Sequence, residues 1–282
     1  MEEEPLKIEA MESHIPKISV ITVCLNTLYD IEATIESVLV QTYSNIEYII
    51  IDGGSTDGTV DIIQRYQDRI TYWVSELDKG IYDAMNKGIE IATGEYIHFL
   101  NSADTFCNEM VLSEASEIML NENPLLLIGG VMSKDKCSYN YMEVGTLSSF
   151  YRKATTICHQ AIFHRADVFT KYGNYSISYK IISDHEWMLR FLIRKTEDEL
   201  VSYVNKPFVY YDTNGLSANS RLTVLDERIR MIKDQKTSSF DFVIAYIRLN
   251  IRKARFITIR IMKKLGVYKR YRKIFYLREK AI

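Results

Sequence analysis

No uncharged apolar run in this 282-residue chain approaches the roughly 20 residues that a membrane-spanning helix needs. The N-terminus is acidic (Glu2, Glu3, Glu4, Glu9, Glu12) and lacks an apolar core, so it does not read as a signal peptide. Cysteine is scarce: Cys24, Cys107, Cys137 and Cys158, with no C-x-x-C pair. That spacing reads as free thiols and suits a reducing cytoplasm. The net charge of −2 gives no nucleic-acid signal for the molecule as a whole. Three well-defined signatures are also missing: the G-x-G-x-x-G dinucleotide fingerprint, the G-x-x-x-x-G-K-[ST] phosphate loop and the H-E-x-x-H metal pair. No internal repeat or low-complexity segment appears.

What is present is alternation. Residues 1–16 read as a disordered polar leader ending at Pro16. Ile18–Leu25 is a dense β-branched run, as expected of a strand buried on both faces. Asp30 is placed to cap a helix with Ile31, Ile35, Val38 and Leu39 on its apolar face. Further strands are predicted at 46–51, 70–74 and 96–100, with helices over 60–66 and 81–92. Gly94 is placed to end the second of these helices. This pitch predicts an α/β fold with a mainly parallel central sheet flanked by helices. The pattern then loosens, with strands expected at 125–131, 159–163 and 201–211, a helix over 184–193 and a turn at Asn214–Gly215.

In parallel sheets ligands bind at the carboxyl ends of strands. Here those ends carry Asn26, Asp52, Glu76 to Asp78 and Asp104. The loop Gly53-Gly54-Ser55-Thr56-Asp57-Gly58 between a strand and a helix start favours an anion. Asp52 beside it is suited to accept from a base N–H or a ribose hydroxyl, or to cap the turn. Asp104 is suited to a hard cation beside a pyrophosphate, or to an ordinary cap. Asp184, before a helix, is a candidate general base or an N-cap. His159 and His185 have no metal-ligand spacing.

Taken in order, these pieces resemble the family 2 glycosyltransferases of the GT-A fold. The matching stretches are Ile18 to Asn26, Gln41 to Asn45, Tyr48 to Thr59, Ser75 to Gly88 and Gly94 to Asp104. Among such enzymes the chain looks most like those that build bacterial surface polysaccharides such as O-antigen and capsule. The resemblance implies an inverting transfer from a nucleoside-diphosphate sugar, most simply a UDP-sugar, to a saccharide or polyprenyl-linked acceptor. It implies donor contacts at Asn26, Asp52, Gly54, Ser55, Asp78, Asp83, Asn86 and Ser102. It implies Mg²⁺ or Mn²⁺ at Asp104, a catalytic base at Asp184, and an acceptor region with His159, Gln160, His185 and Glu186. On this reading 17–220 is the GT-A domain, with a donor half (17–105) and an acceptor half (106–220), and 221–282 is a helical tail. Two departures stand out. Many relatives have Asp-Asp-Gly-Ser where this chain has Asp52-Gly53-Gly54-Ser55, and Ala103 stands where many have Asp.

Two competing readings remain open at this point. A nucleotidyltransferase calls for a Gly-rich loop with a basic residue after the first strand, where this chain has Asn26-Thr27-Leu28-Tyr29. A non-catalytic nucleotide-sugar-binding module would be consistent with Ala103.

The tail is distinctive. From Phe240 onward there are thirteen Lys or Arg against Asp241 and Glu279. Apolar and basic residues interleave, as in amphipathic helices that lie on anionic membranes. A helix packed on the domain, or on another subunit of a homo-oligomer, is the other reading. The expectation is a cytoplasmic protein, peripheral at the inner face of the membrane.

Overall fold

Why β1 (Ile18–Cys24) is an interior strand of its sheet follows from its side chains, all seven of which are buried. The computed structural model describes residues 15–133, 139–140, 158–212, 220–234, 240–265 and 268. The leader 1–14, Cys137 and the Asn214–Gly215 turn therefore lie outside the described residues. The chain forms two compact units. The first is drawn from Met1–Glu143, Ile157–Ile177 and Arg194–Asp212, the second from Val144–Thr156, Ser178–Ile193 and Thr213–Ile282.

The first unit is a nine-stranded sheet between helices. Beyond β1 its strands are β2 (Ile46–Asp52), β3 (Tyr72–Ser75), β4 (Tyr96–Phe99), β5 (Thr105–Phe106), β6 (Leu126–Ser133), β7 (Tyr139–Asn140), β8 (Ile162–Arg165) and β9 (Val201–Tyr211). Their order is β3-β2-β1-β4-β8-β6-β9-β5, with β7 beside β6. The first four are parallel, as the βαβ pattern predicts. β8 then pairs antiparallel with β4 and with β6, and β9 runs parallel to β6. Register slips where Gly130 faces Pro207, the one residue of β9 with no N–H to give the ladder.

Helices α1 (Ile31–Leu39), α2 (Thr59–Arg65) and α4 (Val111–Glu122) share one core with Ile18, Val20, Cys24 and Ile50. α3 (Ile81–Ile91) lies on β1 and β2 from the opposite face, where Gly88 meets Ile21. α5 (Asp167–Tyr172) follows β8. Three local expectations need correcting. Asp30 holds the N-cap position of α1, but its side chain makes no capping bond. Gly94 is not a left-handed helix terminator; a Cβ there would lie 2.5 Å from Ser19 Oγ, so it is glycine for close approach to β1. Residues 159–161 form a 3₁₀ turn, and the strand begins only at Ile162.

The second unit is helical: α6 (Ser183–Arg194), α7 (Arg221–Asp234) and α8 (Phe240–Lys264). Its core joins Ile182 and Leu189 to Ile229, Met231 and Ile232 of α7, and to Ala245 and Leu249 of α8. No helix among the described residues is long and apolar enough to cross a membrane.

Candidate active site

Strands β1 to β4 point their carboxyl ends at one rim of the first unit, and the polar loops there are tied together side chain to backbone. Asp52 ends β2 fully buried. Its Oδ2 accepts from the backbone of Gly54 (3.1 Å) and Ser55 (2.8 Å) and from Ser75 Oγ (2.6 Å). Its Oδ1 accepts from Ser55 Oγ at 2.5 Å and from the Cys24 thiol at 3.4 Å. Burial works against its charge, but hydrogen bonds from Ser55 and Ser75 outweigh it and hold the carboxyl below the ordinary aspartate range. The carboxylate thus builds the loop. A direct bond from Asp52 to a nucleoside requires one of these donors to leave.

The rest of that loop is fixed from β1. Asn26, at φ +53°, accepts from Thr56 N–H (2.9 Å) through its side chain, while its own N–H donates to Ser55 Oγ (2.7 Å). Asp57 accepts from the backbone of Leu28 (3.0 Å) and Thr59 (3.0 Å). Gly54 adopts φ +86°, a conformation only glycine holds without strain.

The loop between β3 and α3 carries two more acids. Asp78 accepts from Gly80 N–H (2.8 Å) and Asp83 from Lys79 N–H (2.9 Å), so each caps the turn into the helix. Lys87 braces this loop through Glu76 (2.7 Å) and the Leu77 carbonyl (3.1 Å). Asn86 spends both ends of its amide on the Tyr175 backbone, donating at 2.8 Å and accepting at 3.0 Å. It holds the 173–177 segment against α3.

After β4 the chain turns sharply. Ser102 N–H donates to the Val23 carbonyl, and Ala103 sits at φ +77°, unusual for a residue with a Cβ. Asp104 follows, 4% exposed. Its Oδ1 accepts from Asp212 N–H (3.0 Å) and its Oδ2 from the Gln160 amide (2.8 Å). The Cys158 thiol lies 2.8 Å from Gln160 Oε1, and His159 Nε2 lies 2.9 Å from Asn101. His159 and Gln160 therefore stand against the Asp104 motif itself. Periodicity offers no sign of this, because the three segments are far apart in sequence and meet only through the sheet.

Among the described residues no three His, Cys, Asp or Glu side chains converge as a preformed metal centre. The single carboxylate of Asp104 still suits a hard cation. Oδ1 accepts from Asp212 and Oδ2 from Gln160, and Mg²⁺ is commonly held by one or two carboxylates with phosphate oxygens and water.

Asp184, His185 and Glu186 belong to the second unit, in the first turns of α6. His185 and Glu186 are buried, and Glu186 forms a two-point pair with Arg190 (3.1 and 2.8 Å). The segment leading into α6 is held by α7. Glu227 accepts from the N–H groups of Lys180 (2.7 Å) and Ile181 (3.0 Å), and Arg230 donates to the Ser178 carbonyl (2.7 Å). Burial pushes the Arg228 guanidinium down, while the charge of Asp184 opposes that push. Sequence reading singled out neither Glu227 nor Arg228, which lie in the helical tail it placed at 221–282.

This arrangement has relatives. Residues 19–193 match glycosyl transferase family 2. The chain is 35% identical over 179 residues to an uncharacterized glycosyltransferase of Mycobacterium tuberculosis, covering 62% of this chain and 68% of that one. It is 30% identical over 178 residues to a PGL/p-HBAD biosynthesis glycosyltransferase of Mycobacterium bovis, covering 62% and 69%. Its fold superposes on S. aureus TarS 1–349 in complex with UDP-GlcNAc with a TM-score of 0.64, covering 86% of this chain and 71% of that one at 16% identity. The sheet order, the flanking helices and this likeness are those of the GT-A fold. With well over half its length matched, the chain belongs to glycosyl transferase family 2.

Proposed function

We propose that the enzyme moves a sugar from a UDP-sugar to a saccharide or polyprenyl-linked saccharide during cell-surface polysaccharide synthesis, with inversion at the anomeric carbon. The observation that carries this reading is the rim itself. Four parallel strands end on one side in a rigid, glycine-containing loop around Asp52, with the single acid Asp104 beside it. A pyrophosphate suits such a rim, because backbone N–H groups and a bound cation answer its charge. The TarS complex, which holds UDP-GlcNAc, and the biosynthetic role in the M. bovis relative's name support the same direction.

In this reading Asn26, Gly54, Ser55, Asp78, Asp83, Asn86 and Ser102 shape or line the donor pocket, with Asp52 as its scaffold. Asp104 would hold Mg²⁺ or Mn²⁺, and the cation would supply neutralisation of charge on the departing diphosphate. Asp184 takes the proton of the acceptor hydroxyl. The acceptor oxygen forms its bond to the anomeric carbon as the bond to the diphosphate oxygen breaks on the opposite face, which inverts the centre. His159, Gln160, His185 and Glu186 belong to the acceptor region.

The tail supports a peripheral position at a membrane. Along α8, Val243, Ile247, Ile251, Ile261 and Leu265 are exposed and recur near helical spacing, while Ala245 and Leu249 face the core. Arg248, Arg252, Arg255 and Arg260 lie among them. An apolar stripe with basic flanks suits an anionic leaflet carrying a lipid-linked acceptor.

A thermal-shift screen of UDP, GDP, CDP, ADP and dTDP, each with and without Mg²⁺ or Mn²⁺, tests the donor reading. Stabilisation by UDP that grows with the cation is expected. No response to any nucleoside diphosphate, or no turnover of UDP-sugars in a donor-hydrolysis assay, sinks it.

A further inference from the structure

Gln160 presses an amide against a carboxylate, and the two ends of an amide are not alike. An ionised carboxylate only accepts hydrogen bonds, so the end that meets Asp104 has to be the NH₂ group. That is the arrangement found, with Nε2 donating to Asp104 Oδ2 at 2.8 Å. The carbonyl end of the amide is thereby turned away from Asp104, and in half-buried surroundings it needs a donor of its own. The Cys158 thiol supplies one, with Sγ 2.8 Å from Gln160 Oε1. The backbone makes this encounter local. Cys158 holds the N-cap position of the 3₁₀ turn, and its carbonyl accepts from Ala161 N–H at 2.9 Å. The turn folds residue 160 back beside residue 158. Thiol, amide and carboxylate thus form a chain of donors and acceptors that runs one way, and all three groups belong to the first unit.

We infer that Cys158 is a positioning residue for the donor site: its thiol holds the Gln160 amide with the NH₂ end on Asp104, and so sets how that carboxylate is presented to a cation. This rests on the reading of Asp104 as the cation-binding acid and adds a residue to it. The sequence leaves Cys158 as a free thiol with no assigned work. Here the sulfur neither attacks a substrate nor ligates the ion. It satisfies the oxygen of an amide whose nitrogen is needed elsewhere. Without a donor at position 158, that oxygen has to find one by rotating, and each rotation takes the NH₂ group away from Asp104. A thiol is a weak donor, so its loss should cost less than the loss of Gln160 itself. A serine hydroxyl can take over the bond, whereas an alanine methyl cannot. Because Cys158 acts through Gln160, its removal should matter only while Gln160 is present.

The test is a Mn²⁺ titration of UDP binding by calorimetry, on the full chain and on Cys158→Ala, Cys158→Ser, Gln160→Leu and the Cys158→Ala, Gln160→Leu double variant, with thermal melting as a check of folding. Cys158→Ala should raise the half-saturating Mn²⁺ concentration about three- to tenfold, the worth of one neutral hydrogen bond. Cys158→Ser should stay within about twofold of the parent, and the double variant should match Gln160→Leu. The bond itself is read without metal or nucleotide: the infrared S–H stretch that disappears in Cys158→Ala should move to higher frequency in Gln160→Leu. An S–H band unmoved by Gln160→Leu overturns the inference. So does a Mn²⁺ response of Cys158→Ala equal to the parent's, or a loss that Cys158→Ser shares in full, which marks sulfur packing and not a donor. A parent whose UDP binding ignores Mn²⁺ removes the cation reading and this inference with it; a parent that responds to Mn²⁺ beside a Cys158→Ala variant that responds identically removes the inference alone.

Discussion

The side-chain amide of Gln160 donates a 2.8 Å hydrogen bond to Oδ2 of Asp104, a residue 56 positions earlier in the chain. The bond orients the carboxylate. Gln160→Leu removes this donor at similar volume. We expect kcat/KM to fall about 10- to 100-fold, the usual cost of losing a group that orients a metal-binding side chain. The half-saturating Mn²⁺ concentration should rise in a Mn²⁺ titration of UDP binding, while the melting temperature moves little. An unchanged Mn²⁺ titration rejects this role.

Asp184→Asn keeps the shape of the α6 first turn and removes the carboxylate proposed to take the proton. Sugar transfer should fall by at least about a hundredfold, within the range general-base catalysis supplies. UDP affinity should stay within about twofold. Transfer at the parent rate means that another group takes the proton.

Acid stability should depend on Glu47. Burial of its carboxyl opposes ionisation, but bonds from Ser19 Oγ (2.5 Å), the hydroxyl (2.6 Å) and N–H (2.7 Å) of Thr93 and the Lys17 ammonium (2.9 Å) outweigh it and hold the pKa down to about 2. A folded-state pKa below the unfolded value contributes stability that is complete above the unfolded pKa, about 4.3. That stability is lost as pH falls through about 2. Urea midpoints of the parent should therefore drop between these values, and Glu47→Gln should flatten the drop. Parallel curves for the two proteins would show that Glu47 is not the group responsible.

Gly88→Ala sets two effects against each other. Alanine gains about 1 kcal/mol of helix propensity over glycine. The new methyl would lie 2.5 Å from Ile21 Cγ2 on fully buried β1, and overpacking of this kind costs about 1–3 kcal/mol. Packing should win, leaving the variant about 1 kcal/mol less stable in urea unfolding. Ile21→Ala should cost less in the Gly88→Ala background than in the parent, because it removes the collision. Additive costs would show that α3 simply shifts outward.

The α8 stripe predicts binding to vesicles containing phosphatidylglycerol, weakened by salt. Ile247→Asp and Ile261→Asp should each lower the partition coefficient about tenfold, since burying one isoleucine is worth about 1.5–3 kcal/mol. Flotation that is equal for neutral and anionic vesicles, or absent for both, removes the membrane from the proposed function.

Much of the first unit was legible because its signals are local. The β-branched runs at 18–24 and 46–52 are buried on both faces and could hardly form anything else. Asp52 and Asp104 stood out because they follow such runs. The illegible parts depend on pairing across distance. Asn86 reads as a polar helix residue until Tyr175 arrives 89 positions later to take both ends of its amide. His159 and Gln160 look like the start of a strand, yet they form a tight turn that delivers their side chains to Asn101 and Asp104. Gly94 looks like a helix stop, although the reason for it is the Ser19 backbone and hydroxyl beside it.

The two bonds that Glu227 accepts from the N–H groups of Lys180 and Ile181 carry a practical warning. The family match ends at residue 193, and a gene shortened to that border looks economical. Its product would lose the acid that satisfies two backbone donors just ahead of Asp184, together with Ile229, Ile232 and Leu249 from the core around Leu189. Such a fragment would keep every motif by which the family is recognised and still loosen the helix that bears residue 184. What the sequence presents as an appendix is scaffolding, and homologues trimmed at the same border should be judged by melting curves before their inactivity is blamed on substrate choice.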